Sequence, residues 1–331
     1  MSNPLVLVTA PTVSKQAQKL LREAGAEIVF MENPITEHAL LSVFSTRKVD
    51  AVLLRGPSPF TPAVFAAAKG LKIVSKNGTG VDSVDVESAT AHGVAVMVTN
   101  GANSDAVAEH ALALMLCVTR ELPKFDRGLR TGVWKDQGYL VRDFRERAVG
   151  IVGYGQIGRR TARLAAACGA QVVIHSRSRV EAPQGMEWED DLDRLVSRVD
   201  IVSLHCPLTE KTRGMIGERQ FQLMRPGAII VNTSRGKLIV EAAMIAALES
   251  GRLAGAGLDV FQTEPPAPAN PLFSFPNVIC TPHISASTTG AATRMGAIGA
   301  NNILSYLRGE IYDQENFLNP AVFNSSQRTV A

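Results

Sequence analysis

The chain has 331 residues, 46% of them hydrophobic and 20% charged, and 34 basic against 31 acidic side chains leave a formal net charge of +3. That length exceeds what one hydrophobic core usually supports, so two domains are expected. The near balance of charge, with no dense basic run to neutralise a row of phosphates, argues against nucleic acid or an anionic membrane as a partner. No stretch approaches the ~20 apolar residues that a bilayer span needs. The opening "MSNPLVLVTAPTV" lacks a basic segment leading into a long apolar one, so no secretory signal and a cytoplasmic location are expected. Cys117, Cys168, Cys206 and Cys280 stand singly in apolar stretches, which predicts buried, reduced thiols and no metal site.

In chain order, the first hundred residues alternate short β-branched runs with helical segments. "PLVLVTA", "EIVFME", "AVLLRG", "KIVSKNG" and "AVMVTN" read as strands. Between the first two, "SKQAQKLLREAG" sets Ala17, Leu20, Leu21 and Ala24 on one helical face and ends at Gly25. Such alternation predicts a parallel sheet covered on both faces. The pattern breaks at Ser104, where "SDAVAEHALALMLCVTREL" opens on the capping residues Ser104 and Asp105. From Ala111 to Val118 this helix is apolar all round. It is expected to be packed by more than its own domain, in an interdomain or subunit contact, with burial in one core as the alternative.

A second alternating series starts at Ala148, with "AVGIVGYG", "QVVIHS", "IVSLHC", "AIIVNTS", "GAGLDVF" and "VICTPHI" as strands. Six strands, most of them separated by helices, predict a doubly wound nucleotide-binding sheet. The small-residue helix after His283, "STTGAATRMGAIGANNILSYLRG", has no further strand to serve and is expected to cross back to the first domain. The expected division is therefore residues 1–101 with 288–331 as one discontinuous α/β domain, and residues 102–287 as a central Rossmann domain.

"GIVGYGQIGRR" spaces Gly153, Gly155 and Gly158 as G-x-G-x-x-G between a strand and a helix. Gly153 permits the tight turn, Gly155 admits a pyrophosphate to the backbone, and Gly158 lets helix and strand pack closely. NAD-binding loops of this kind place an acidic residue about 20 positions on, to accept from the ribose hydroxyls. Here the second strand ends in "VVIHSRSR", with Ser176 standing 18 positions past Gly158. A carboxylate would repel a 2′-phosphate, whereas Ser176 can donate to it and Arg177 and Arg179 can add charge-assisted bonds. NADP(H) is therefore expected over NAD(H), which stays possible. The alternative is that both arginines are merely solvated.

Three later segments end strands of the same sheet on chemically useful residues. "IIVNTSRG" carries Arg235, "GLDVFQTEPP" carries Asp259 and Glu264, and "VICTPHISAS" carries His283. Each alone has an ordinary reading as a surface cation, a solvated turn or a structural histidine. Together they lie beyond the carboxyl ends of successive strands, where open α/β sheets bind ligands.

With "NGTGVDSVD", "VAEHALALML", "VGYGQIGR", "LHCPLTEKTRGMI", "MRPGAIIVNTSRG", "GLDVFQTEPP" and "TPHIS" in order, the chain resembles the D-isomer-specific 2-hydroxyacid dehydrogenases over nearly its whole length. The resemblance implies a flavodoxin-like substrate domain built from both termini, a Rossmann domain with a cleft between the two, and a homodimer through the Rossmann domain. It also implies a small 2-oxo or 2-hydroxy acid as substrate and a catalytic trio of Arg235, Glu264 and His283. It matches Thr79 and Gly80 to a loop that binds the substrate carboxylate, with Arg235 and His283 facing the same substrate. Gln156, Ile157, Ser178, Pro207, Thr233, Ser234, Arg235, Asp259, His283, Ser285 and Ala286 join the glycines as cofactor-lining positions. His110 and His205 are left as structural or lining residues.

Two departures matter. Arg55 stands where phosphoglycerate-oxidising members of the family carry an arginine, but Ser176 replaces the acid such members generally keep. The combination is closer to NADPH-using glyoxylate and hydroxypyruvate reductases. A D-3-phosphoglycerate dehydrogenase-like enzyme using NAD is the alternative, and a nucleotide-sensing corepressor is the alternative of another class. "WKDQGYLVRDFRERAVG" also lacks the family's usual glycine-and-leucine lead-in to the Rossmann strand.

Overall fold

The computed structural model describes residues 3–135, 137–180 and 183–323. In chain order the elements are β1 (Leu5–Val8), α1 (Lys15–Glu23), β2 (Glu27–Phe30), α2 (Glu37–Thr46), β3 (Ala51–Leu54), α3 (Pro62–Ala67), β4 (Ile73–Lys76), α4 (Val86–Ala91) and β5 (Ala95–Met97). There follow α5 (Ser104–Thr119), α6 (Leu122–Arg130), β6 (Ala148–Val152), α7 (Gln156–Ala167), β7 (Gln171–His175), β8 (Met186–Trp188), α8 (Leu192–Arg198) and β9 (Ile201–Leu204). The chain closes with α9 (Glu218–Leu223), β10 (Ala228–Asn232), α10 (Glu241–Glu249), β11 (Leu253–Leu258), β12 (Val278–Cys280) and α11 (Thr289–Leu307). Contacts divide it into two compact units, Met1–Asn103 with Thr288–Ala331, and Ser104–Ser287.

The first unit holds a parallel sheet of order β2-β1-β3-β4-β5, the flavodoxin-like order. Its strands are apolar on both faces because helices cover both. Leu7, Val52, Leu54 and Val74 pack with Leu40, Phe44, Val64 and Phe65 of α2 and α3. Val6, Val8, Leu53 and Ile73 pack on the other side with Ala17 and Leu21 of α1 and Ala300 and Ile303 of α11. The small residues of α11 have a steric cause. A Cβ on Gly299 would stand 2.6 Å from Leu53 Cδ1, and one on Gly296 would collide with Ser14 Oγ.

The second unit holds seven parallel strands in the order β12-β11-β10-β9-β6-β7-β8. Strand order reverses between β6 and β9, and the glycine loop leaves the sheet at that switch point. The six strands read from sequence are joined by β8, whose three residues pair beyond β7. "MEW" carries Glu187 between its apolar residues and lies in no apolar run, unlike the equally short β5 and β12, which is why it was not legible as a strand.

Helix α5 packs Ala108, Ala111, Leu114, Met115 and Val118 into its own unit, beside α7, β10 and β11. Glycines on β11 make room, since a Cβ on Gly257 would lie 2.8 Å from Leu114 Cβ and one on Gly255 2.8 Å from Val118 Cγ1. Its other side keeps Leu112, Leu116 and Cys117 half-buried and Ala113 exposed. Leu112 and Leu116 pack against that same core, so most of the apolar surface serves the helix's own unit. The cysteine expectation needs correction. Cys168 closes α7 and is exposed, while Cys117, Cys206 and Cys280 are half-buried, and all four are free. Among the described residues no helix is long and apolar enough to cross a membrane, and no group of His, Cys, Asp and Glu could hold a metal ion.

Candidate active site

The glycine loop is shaped by close backbone contacts. Gly153 has φ +96°, and a Cβ there would lie 2.6 Å from Cys206 N and 2.8 Å from the His205 carbonyl, at the end of β9. A Cβ on Gly158 would strike the Gly153 carbonyl. Gly155 meets nothing within 4 Å and begins α7 with no side-chain cap, so the first amides of that helix face open space. Gln156 is exposed, its side chain accepting from Arg160 at 2.8 Å, and Ile157 is half-buried.

Ser176 is half-buried just past β7, and Arg177, Ser178 and Arg179 are exposed beside it. Arg179 Nη1 pairs with Asp190 Oδ2 at 3.0 Å, while no ion pair joins Arg177 to a described residue.

At the carboxyl ends of β10, β11 and β12 two fully buried polar side chains fold the loops. Asn232 ends β10 and donates to the Arg235 carbonyl at 2.9 Å while accepting from Ser234 N at 3.0 Å. The Ser234 hydroxyl donates to the Cys206 carbonyl at 2.6 Å, and Arg235 Nη1 donates to the Ser234 carbonyl at 2.7 Å. A Cβ on Gly236 would collide with the Phe261 carbonyl, so the Arg235 loop lies directly against the loop leading to Glu264. Asp259 follows β11 and accepts from Thr281 Oγ1, Ile284 N and Ser285 N at 2.6, 2.9 and 2.8 Å.

Glu264 and His283 are bonded to each other. Glu264 Oε1 accepts from Phe261 N at 3.0 Å, and its Oε2 lies 2.7 Å from His283 Nδ1. His283 has φ +53°, left-handed for a residue with a side chain. Burial alone would raise the Glu264 carboxyl, but hydrogen bonds from His283 and Phe261 and the charges of His283 and Arg235 hold it below its ordinary range. The Glu264 hydrogen bond raises the His283 imidazole, against burial and the Arg235 charge. Arg235 therefore acts electrostatically on both members of the pair.

Other titratable groups nearby are unsuited to proton transfer or nucleophilic attack. Burial pushes His205 down to about 3, and burial pushes the Cys206 and Cys280 thiols up to about 11. His205 Nε2 is bonded to Ser203 Oγ at 2.9 Å. Thr233 is buried with no partner for Oγ1, Pro207 is exposed, Ser285 is buried and Ala286 half-buried. In the first unit Arg55 follows β3, with Nη1 donating to the Thr12 carbonyl at 2.6 Å. Thr79 and Gly80 follow the adjacent β4, Thr79 exposed and Gly80 half-buried.

These residues fit a dinucleotide. Open space at Gly155 above an uncapped helix start suits a pyrophosphate, and the orphaned hydroxyl of Thr233 is a buried polar group in want of a partner. Sequence reasoning passed over Asn232, Thr281 and the amide of Phe261. A polar residue closing an apolar strand, as in "IIVNTS" and "VICTPH", was the available signal.

Residues 112–285 match the family model described as D-isomer specific 2-hydroxyacid dehydrogenase, NAD binding domain. The chain is 36% identical over 306 residues to the D-3-phosphoglycerate dehydrogenase of Archaeoglobus fulgidus, covering 92% of this chain and 57% of that protein. It thus spans little more than half the length of that relative. It is 38% identical over 319 residues to the glyoxylate reductase of Thermococcus onnurineus, covering 93% and 94%. Among solved structures, an NADPH-dependent glyoxylate/hydroxypyruvate reductase from Sinorhizobium meliloti, in complex with NADP and malonate, superimposes with a TM-score of 0.81 at 30% identity. That match covers 96% of this chain and 97% of the other.

Proposed function

Because the chain belongs to the D-isomer specific 2-hydroxyacid dehydrogenases, we propose that it is an NADP(H)-dependent 2-oxo acid reductase, interconverting a small 2-oxo acid such as glyoxylate or hydroxypyruvate with its D-2-hydroxy acid. The carrying observation is the 2.7 Å bond between His283 Nδ1 and Glu264 Oε2, with Arg235 on the neighbouring loop of the same sheet.

Unit Ser104–Ser287 is the dinucleotide domain in this reading, and Met1–Asn103 with Thr288–Ala331 the substrate domain. The nicotinamide, when bound, supplies or accepts the hydride. Gly153, Gly155, Gln156, Ile157 and Gly158 hold its pyrophosphate, while Pro207, Thr233, Ser234, Ser285 and Ala286 line the remainder. Asp259 serves there by shaping the loop, since both its carboxylate oxygens already accept internal bonds. Arg235 grips the substrate carboxylate with its forked guanidinium and polarises the carbonyl. His283, as imidazolium, gives the carbonyl oxygen its proton, and Glu264 favours that charged form and fixes the ring. In the other unit, Thr79, Gly80 and Arg55 carry over from the resemblance as substrate-binding positions.

Ser176, Arg177, Ser178 and Arg179 favour a 2′-phosphate, in keeping with the NADP bound by the S. meliloti relative. NAD(H) is the poorer coenzyme. A homodimer through the dinucleotide unit accords with the solvent-facing apolar side chains between Leu122 and Leu140. A cytoplasmic, reducing setting suits four free thiols.

The test is oxidation of NADPH and NADH by the purified chain with glyoxylate, hydroxypyruvate and phenylpyruvate, beside 3-phosphoglycerate with both oxidised coenzymes. Turnover of a 2-oxo acid, with kcat/KM higher for NADPH, is expected. The D-3-phosphoglycerate dehydrogenases among the relatives, together with Arg55, favour a second reading, and fastest turnover of 3-phosphoglycerate with NAD would replace the first by it.

A further inference from the structure

Three polar side chains outside the Glu264–His283 pair form a chain that ends at the His283 turn. His110 Nε2, on α5, lies 3.0 Å from Thr281 Oγ1, and Thr281 Oγ1 lies 2.6 Å from Asp259 Oδ1. Asp259 is fully buried, and its carboxylate also accepts from the amides of Ile284 and Ser285, the two residues that follow His283. Its backbone carbonyl accepts from the amide of His283 itself at 2.9 Å. Bonds to one aspartate thus surround the single turn in which His283 adopts φ +53°. For a residue with a Cβ that conformation costs roughly 1–2 kcal/mol, and it persists only where the surroundings over-determine it.

The direction of the bonds follows from proton counting. A hydroxyl has one proton to donate, and the Asp259 carboxylate can only accept. Thr281 therefore donates to Asp259, and its oxygen is left to accept from His110. His110 must carry a proton on Nε2, whichever form its other nitrogen takes. With the imidazole removed, nothing on α5 holds the Thr281 hydroxyl in the orientation that meets Asp259 Oδ1.

We propose that His110 is a positioning residue for His283. Through Thr281 it fixes the Asp259 carboxylate, and Asp259 in turn holds the left-handed turn that presents His283 Nδ1 to Glu264. The inference rests on the reading of His283 as the acid–base group, and it adds a donor from α5 to the machinery. The charged groups acting on His283 are Glu264, Arg235 and Asp259, so any loosening of the turn changes the imidazole's company.

The decisive measurement is the titration of the histidine Cε1 protons by NMR in the full chain, which has only six histidines. The His283 resonance is identified by its loss in His283→Gln. In the unaltered protein it titrates above a free imidazole. In His110→Leu, which keeps bulk without a donor, its midpoint falls by about half a unit or more, roughly a threefold change in the protonation equilibrium. Thr281→Val gives the same fall, and the double variant falls no further, because both changes break one chain. His110→Gln, whose amide restores an N–H, titrates as the unaltered protein does. In parallel, kcat for glyoxylate with NADPH drops about tenfold in His110→Leu, with KM for NADPH held within about twofold. Should His110→Leu fail to fold, Thr281→Val carries the test alone. An unmoved His283 midpoint in the folded variants overturns the proposal, as does a His110→Gln variant no better than His110→Leu. If the midpoint shifts but the unaltered chain reduces no 2-oxo acid, the acid–base reading fails while the positioning chain stands.

Discussion

At the scale of single residues the proposed acid–base role of His283 ties the pH dependence of turnover to the His283–Glu264 pair. Glu264 raises the imidazole, so the imidazolium needed for reduction persists to a higher pH than a free histidine allows, and kcat/KM for the 2-oxo acid is lost as pH rises through that raised value. Glu264→Gln removes the charge but keeps an acceptor for Nδ1. Its alkaline limb is expected to move to lower pH, and an unmoved limb in the pH–rate profile would break the coupling. His283→Gln is expected to lose about 10²–10⁴-fold in kcat, the usual worth of a positioned acid, while NADPH binding measured by fluorescence persists. Turnover retained in that variant refutes the acid role. The same shifts carry a stability sign. The contribution of raised His283 is present below its unfolded value and lost as pH rises through the folded one, and that of lowered Glu264 is lost as pH falls. Arg235, Glu264 and His283 were legible because each stands just past an apolar strand, where the fold class brings ligands. The turn at His283 was not, because its bonds run to Asp259, 24 positions away in sequence.

At the scale of elements the strand–turn–helix around Gly153 was readable from glycine spacing set between an apolar strand and a helix, where Gly153 and Gly158 answer local steric demands. Gly158→Ala would drive a methyl into the Gly153 carbonyl. Loss of coenzyme binding is expected together with a lowered Tm, because the collision is with backbone and cannot be relieved by a rotamer. In the proposed reading the end of β7 decides between coenzymes by charge. Ser176→Asp should repel a 2′-phosphate and accept from ribose hydroxyls, lowering the ratio of kcat/KM for NADPH over NADH at least tenfold, which is about 1.4 kcal/mol. A ratio unchanged in that variant would mean that the 2′-phosphate is held elsewhere. What the sequence concealed here is the pairing of Arg179 with Asp190, a residue on the far side of β8. The pair is exposed and worth ~0–1 kcal/mol, so Asp190→Asn should raise NADPH affinity by less than about fivefold. β8 itself escaped notice because Glu187 interrupts it and no apolar run surrounds it, unlike the equally short β5 and β12, and only its neighbour β7 makes it a strand.

At the scale of the whole molecule, runs of apolar residues carried both sheets, because every strand apart from β8 lies in such a run. It could not say what covers the outer side of α5, since an all-round apolar helix has the same sequence whether its second face meets a core or another subunit. The neighbouring segment bears on that question. Leu122, Leu129, Val133, Trp134 and Leu140 are 50, 59, 63, 75 and 90% exposed, five large apolar side chains within one stretch of the dinucleotide unit. Singly exposed apolar residues need no explanation, whereas five in one segment make it the candidate surface for the proposed dimer. With the homodimer proposed above, a second copy of this chain is the expected cover. Light scattering on the purified protein should then give twice 35.4 kDa. Trp134→Glu combined with Leu140→Glu places two carboxylates where the partner would desolvate them, a cost of several kcal/mol per ion. That variant should run at 35.4 kDa with its far-ultraviolet circular dichroism intact, because neither side chain belongs to the core of its own unit. A double variant that remains at the dimer mass would remove this stretch from the interface, and an unaltered protein at the single-chain mass would remove the dimer.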